Sequence, residues 1–177
     1  MPPTTGTLEE GGGVAVTQNI DELYAVTYQR LVVQMYAICG DLRDAEDAVQ
    51  EAFVTVVRKR SGLTGIDNPE GWVRTVAFNR LRGGWRHAAV VRRYQHRVPG
   101  PQAALDVGPE HVAVVSALAQ VDRDQREVVV LHYLADLGTA AIAVELGIPE
   151  GTVKSRLSRA RARLAPLLDE NEESRHV

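Results

Sequence analysis

Between Thr152 and Arg163 the chain carries Lys154, Ser155, Arg156, Ser158, Arg159, Arg161 and Arg163, and not one acidic residue. These side chains are suited to nucleic acid: guanidinium and ammonium groups hold phosphate oxygens, and Arg or Lys can fork onto the guanine edge in a major groove. Their spacing adds direction. At about 100° per residue of helix, Val153, Leu157, Ala160 and Leu164 share one narrow stripe that has to be buried. Ser155, Ser158, Arg159 and Ala162 fall opposite it, with Lys154, Arg156, Arg161 and Arg163 on the flanks. Small residues at the centre of that outer face let a helix sit deep in a groove while longer cations reach outward.

A second cationic stretch lies upstream. From Gly71 to Val98 there is no Asp or Glu, yet Arg74, Arg80, Arg82, Arg86, Arg92, Arg93 and Arg97 all occur, interleaved with Trp72, Phe78, Trp85 and Tyr94. Arginines that grip phosphates beside aromatics that can stack on unpaired bases make a surface for single-stranded nucleic acid. The other constellations are less productive. Asp41, Asp44, Glu46, Asp47 and Glu51 spread over more than one helical face, and His87, His96, His111 and His132 show no paired-ligand spacing. No Gly-rich phosphate loop or nucleophile signature accompanies them, so the sequence predicts no catalytic residue, metal or cofactor. Cys39 has no partner for an internal disulfide, and among Met35, Tyr36, Ile38 and Leu42 it reads as a small buried hydrophobe.

These residues need elements to hold them. Thr139 to Leu146 is Ala-rich and apolar at helical spacing, Gly147-Ile148-Pro149 interrupts it, and the pattern resumes from Thr152, whose hydroxyl can cap free N–H groups. Two short helices joined by a tight turn make a helix-turn-helix with a basic second helix. Before it, His111 to Val121 and Asp124 to Leu134 read as helices of the same small domain. Upstream, one helix carries Leu23, Val26, Thr27, Tyr28, Leu31, Met35 and Ile38 and ends near Gly40. The next, Arg43 to Arg60, buries Ala45, Ala48, Val49, Ala52, Phe53 and Val56. Its opposite stripe is Asp47, Gln50, Glu51, Val54 and Arg58, where an apolar Val54 amid polar neighbours suggests a partner. Ser61 to Glu70 is a loop, and a third helix starting at Asn68 or Pro69 groups Asn79, Arg82 and Arg86 on one face, with Gly83-Gly84 as its weak point.

The fold class expected is therefore all-α, two small helical domains on a flexible linker. The limits are 1–18 for a disordered tail rich in Pro and Gly, 19–94 for the first domain, 95–110 for a Pro-rich linker, 111–168 for the helix-turn-helix domain and 169–177 for an acidic tail. A length of 177 residues accommodates two such units, and 45% hydrophobic content supplies their cores. The net charge of −3 says little, because charge is segregated along the chain. No stretch approaches the roughly 20 apolar residues of a membrane span, and the start lacks the pattern of a signal peptide; this predicts a cytoplasmic protein without membrane insertion.

With these pieces in order, the chain resembles the extracytoplasmic-function sigma factors, two-domain specificity subunits of bacterial RNA polymerase, over roughly Asp21 to Leu168. DAEDAVQEAF at Asp44 to Phe53 is similar to the family's polymerase-binding helix. The Trp72-Val73-Arg74 start and the Asn79 to Arg86 run resemble its promoter-melting helix, and Ile148 to Leu164 its upstream-element reader. The Asn-Arg run, with the arginine bias of the whole chain, is most similar to an actinobacterial SigE-like subgroup. The resemblance implies that Asp47, Gln50, Glu51 and Val54 contact core RNA polymerase at the clamp helices of its largest subunit. Asn79, Arg82, Trp85 and Arg86 would open the minus-ten element, and Thr152, Lys154, Ser155, Arg156, Ser158 and Arg159 would read the minus-thirty-five element, with the polymerase flap beneath. Promoter DNA and an anti-sigma factor are the further partners it implies.

The chain departs from the family pattern in places. Val121-Asp122 stands where Leu-Pro is usual, Ala141 where Glu is usual, Gly138 where a capping Ser is usual, and Gly83-Gly84 where polar residues are usual. The rival reading is a stand-alone helix-turn-helix regulator acting as a dimer. Against it stands the first domain, because a repressor has no need of the Asp47/Gln50/Glu51 stripe coupled to an acid-free arginine helix.

Overall fold

The computed structural model describes the backbone of residues 11–59, 63–91 and 109–173, which form seven helices and, among the described residues, no strand. Helix α1 (Gly11–Cys39) buries Leu31, Val32, Met35 and Ile38 at three- and four-residue steps. It closes at Gly40, whose φ of 75° is one that side-chain-bearing residues rarely adopt, and whose N–H donates to the Tyr36 carbonyl. Asp41 then starts α2 (Leu42–Arg58) by accepting the Asp44 N–H at 3.0 Å. The α2 face that the periodicity marks as inward is the buried one: Ala45, Ala48, Val49, Ala52, Phe53 and Val56.

Helix α3 (Pro69–Val91) begins with Asn68, whose Oδ1 accepts the Gly71 N–H at 2.9 Å, followed by Pro69 at the first helical position. A Cβ on Gly71 would lie 2.7 Å from the Asn68 side-chain amide, so a larger residue there would oblige that amide to shift. Val73, Ala77, Phe78 and Leu81 complete the core that α3 shares with α1 and α2. The helix runs through Gly83 and Gly84 without interruption.

The second bundle comprises α4 (Pro109–Ala119), α5 (Arg123–Tyr133), α6 (Thr139–Leu146) and α7 (Glu150–Glu173). Val115, Leu118, Val128, Val130, Leu131, Ile142, Leu146, Val153, Leu157 and Ala160 form its core. Gly147, at φ 65°, ends α6 by donating to the Ala143 and Val144 carbonyls, and Ile148 repeats the Ala143 bond. Pro149 supplies the carbonyl that accepts the Thr152 and Val153 N–H groups. The bundles are in contact: α1 packs against both α4 and α5.

Several boundaries differ from the sequence reading. Helix α1 starts at Gly11, inside the expected tail, because adding turns to an existing helix avoids the cost of nucleation and Val14, Ala15 and Val16 tolerate it. Helix α4 begins at Pro109, two residues before the expected domain start, consistent with proline at the first position of a helix. Helix α7 begins at Glu150, not Thr152, so Thr152 lies within the first turn and does not cap it. At its far end α7 continues past Pro166 to Glu173, into the expected acidic tail. Residues 92–108, which take in most of the predicted linker of 95–110 and the last three residues of the predicted first domain, lie outside the described residues, as do 60–62, where the predicted second helix gives way to the predicted loop, and 1–10 and 174–177 of the two tails.

Candidate nucleic-acid and polymerase interface

The basic helix is built as its spacing demands. Val153, Leu157 and Ala160 are buried against the bundle, while Lys154, Ser155, Ser158, Arg159 and Ala162 face outward. The flanking cations divide into two groups. Arg156 is paired with Asp124 at the start of α5, Arg161 donates to the Tyr133 hydroxyl at 2.7 Å, and Arg163 donates to the Gln120 carbonyl at 3.1 Å. Those three arginines brace α7 against the helices beneath it. The expectation that Arg156 reads DNA therefore meets a side chain already engaged within its own domain.

Among the described residues Arg159 has no hydrogen bond or ion pair, and Lys154 pairs only with Glu150 one turn back at 2.9 Å. Glu150 also accepts the Thr139 hydroxyl at 2.7 Å, and this bond, then Lys154, holds its carboxyl below the ordinary range. It ties the starts of α6 and α7 together. The Ser155 hydroxyl donates to the Thr152 carbonyl at 3.0 Å, and Thr152 itself is half-buried. What α7 leaves free for a groove is the row Lys154, Ser155, Ser158 and Arg159.

In the first bundle, Asp47 and Gln50 are exposed and Glu51 is partly so, along the outer stripe of α2. Val54 is 37% exposed and Val57, one position outside the predicted stripe, 66%. Beside them Tyr24 stacks on Tyr28 with centroids 4.6 Å apart and meets Phe53 edge-on at 4.9 Å. Gln50 donates to the Tyr28 hydroxyl at 3.2 Å. An acidic and polar row bordered by aromatics and valines is a mixed surface of the kind partners bind. The row was legible from helical spacing and its aromatic border was not: Tyr28 counted only toward the periodicity of α1, and Tyr24 falls outside that pattern.

On α3, Asn79 and Arg80 are exposed. Arg82 lies over the Phe78 ring, 5.0 Å from its centroid, and 3.5 Å from the Glu127 carboxylate of α5. The backbone at Trp85 and Arg86 is helical, but their side chains lie outside the described residues. The structure thus places Asn79 and Arg82 on neighbouring positions of one helix and turns Arg82 toward the other domain.

That contact belongs to a set. Arg74 of α3 meets Glu145 of α6 through two bonds of 3.0 Å, with side chains only 5% and 9% exposed. Arg126 of α5 donates to the Ile38 carbonyl at the end of α1, and also to the Ala119 and Val121 carbonyls at the end of α4. A cation among the free carbonyls of two helix ends is favourably placed. Gln34 donates to the Leu134 carbonyl at 3.0 Å. Glu127 is 1% exposed, and burial raises its carboxyl above the usual range, with Arg82 opposing the shift. None of these pairings was read from the sequence. The available signals were an acid within the apolar run Glu127-Val128-Val129-Val130-Leu131 and an arginine, Arg74, set directly beside the buried Val73.

Two helical bundles, the second ending in a helix-turn-helix, match the models of Sigma-70 region 2 over residues 16–91 and Sigma-70 region 4 over residues 111–164. The class so defined is the sigma-70 type of specificity subunit of RNA polymerase. Similarity to the SigE extracytoplasmic-function sigma factor of Mycolicibacterium smegmatis is 30% identity over 181 residues, covering 94% of this chain and 68% of that protein. Similarity to SigL of Mycobacterium tuberculosis is 33% over 148 residues, covering 78% and 84%. The chain belongs to the extracytoplasmic-function RNA polymerase sigma factors, proteins of promoter-specific transcription initiation. The fold agrees with that of the RpoE sigma factor solved with the anti-sigma factor NepR from Bartonella quintana, at a TM-score of 0.70, 23% identity and coverage of 86% and 98%. It agrees also with CnrH solved with the cytosolic domain of CnrY, at 0.62, 24% identity and coverage of 90% and 95%.

Proposed function

We propose that the first bundle docks on the clamp helices of core RNA polymerase through Asp47, Gln50, Glu51 and Val54, with Tyr24 and Val57 extending the contact. Asn79 and Arg82, together with Trp85 and Arg86, then open the minus-ten element. Melting needs no covalent chemistry, since unstacking costs only a few kcal/mol per base and a pocket for the extruded base offsets it. The second bundle, seated near the polymerase flap, sets the row Lys154, Ser155, Ser158 and Arg159 into the major groove of the minus-thirty-five element, with Thr152 and Arg156 at its margin. The chain acts by binding, in the cytoplasm, with no metal or cofactor. An anti-sigma factor is a fitting regulator, as the similarly folded RpoE was solved with the anti-sigma factor NepR.

The observation that carries this reading is the exposed outward row of α7 directly opposite its buried Val153-Leu157-Ala160 stripe. Its test is transcription of genomic DNA by core polymerase with the purified chain, followed by sequencing of the transcripts. A shared upstream motif whose use is lost in Arg159→Ala supports it; transcripts with no shared motif contradict it.

A further inference from the structure

The reading helix begins with an acid where its function calls for cations. Glu150, the first residue of α7, lies one turn before Lys154 and on the same flank of the helix, about 40° away. The flanks of a helix set in a major groove are where phosphates pass. The Glu150 side chain is 43% exposed, and with its carboxyl held below the ordinary range it is ionised at neutral pH.

Two contacts fix that carboxylate. The Thr139 hydroxyl donates at 2.7 Å and the Lys154 ammonium approaches to 2.9 Å, both at Oε1. Among the described residues Oε2 has no hydrogen bond, so one oxygen stays open to whatever approaches the flank. Tying α6 to α7 does not need the charge, because a hydroxyl donates as well to a neutral amide oxygen. The ion pair adds little, since exposed partners one turn apart contribute only weakly to stability. Toward a duplex the charge matters more. A phosphate can take Lys154 only by displacing Oε1, and the carboxylate left behind repels it at short range.

We propose that Glu150 restrains the reading helix: it holds Lys154 in the free chain and opposes the phosphate backbone of any duplex, whatever its sequence. The second domain by itself then binds DNA weakly, and lasting recognition of the upstream element depends on polymerase holding the first domain at the promoter. Tethering raises the effective concentration of the second domain at its site and offsets the weak contact. The proposal rests on the reading of α7 as a DNA-binding helix and adds to it a residue that works against binding.

The test follows duplex binding by the full chain in fluorescence anisotropy, comparing native protein with Glu150→Gln, which keeps an oxygen for the Thr139 bond and loses the charge. Affinity for the cognate upstream duplex and for a scrambled one should rise alike, by about fivefold at low salt, the effect of one unit charge about 4 Å away in water. The slope of log affinity against log salt should steepen by about one, as Lys154 meets a phosphate with no carboxylate left to take up a cation. Adding Lys154→Ala to Glu150→Gln should cancel most of both gains. The thermal midpoint of Glu150→Gln should fall slightly, because an acid in the first turn suits the helix dipole. A purely structural acid would lower stability and binding together, so a loss in one with a gain in the other identifies the restraint. Weaker binding confined to the cognate duplex would overturn the proposal and show that Glu150 accepts an exocyclic base amine instead. Equal binding by native and Glu150→Gln chains would also overturn it, and only it. Absence of duplex binding by both chains at any salt would strike the reading of α7 itself.

Discussion

The Arg74 guanidinium of α3 and the Glu145 carboxylate of α6, 71 residues apart in the chain, share a two-pronged ion pair with both bonds at 3.0 Å. Each side chain is nearly withdrawn from water. Removing one partner of such a pair strands a buried charge at a cost of about 3–5 kcal/mol, unless the surrounding structure opens to hydrate it.

Glu127 titrates at the same junction. Its pKa is raised chiefly by burial, so the folded state holds the proton more tightly than the unfolded state. The stability this confers is present below the ordinary carboxylate pKa and is lost as pH rises through the raised value. Glu127→Gln should remove that dependence. In urea titrations its midpoint should match or exceed that of the native chain at pH 7, and the difference should shrink toward pH 4. A native chain that instead gains on the variant as pH rises would contradict the assignment.

Gly83 and Gly84 lie within a continuous helix, and a Cβ at either position would meet nothing within 4 Å. Gly83→Ala and Gly84→Ala should each stabilise the chain by up to about 1 kcal/mol, the difference in helix propensity. Thermal unfolding followed by circular dichroism measures this, and a fall in midpoint for either variant would show that the position needs glycine.

The α7 row separates base reading from phosphate holding. Arg159→Ala should weaken binding to the cognate upstream element by about 1–3 kcal/mol and relax its sequence preference. Lys154→Ala should weaken cognate and scrambled duplexes alike and flatten the salt dependence. Footprinting titrations at two salt concentrations distinguish these outcomes, and an Arg159→Ala variant with native affinity would remove that residue from the reading face.

Cys39 donates its thiol to the Asp41 carbonyl at 3.0 Å, and burial pushes its pKa up to about 12. It should react with a thiol reagent at pH 8 far more slowly in the native chain than in urea, as absorbance at the reagent's wavelength would record. Equal rates would mean that the end of α1 opens freely.

Periodicity made one side of this molecule legible. Val153, Leu157 and Ala160 were readable as buried, and Asp47 and Gln50 as exposed, because a helix presents its faces at known intervals. Residue spacing does not say which face meets which. Arg74 and Glu145, Arg82 and Glu127, and Arg126 with the Ile38 carbonyl are pairings across long sequence separations, and no local pattern encodes them. The same limit explains Arg156. Its flank position was legible, but its pairing with Asp124 depends on how α5 lies under α7. Helix starts were less legible: α7 begins at Glu150, two residues before the apolar pattern resumes.

Association with core polymerase tests the account most directly. The purified chain should co-elute with core enzyme in the absence of DNA and direct run-off transcription from a cognate promoter. Glu51→Lys should lose both while retaining duplex binding through α7. A chain that never engages core enzyme at any salt concentration would contradict the account.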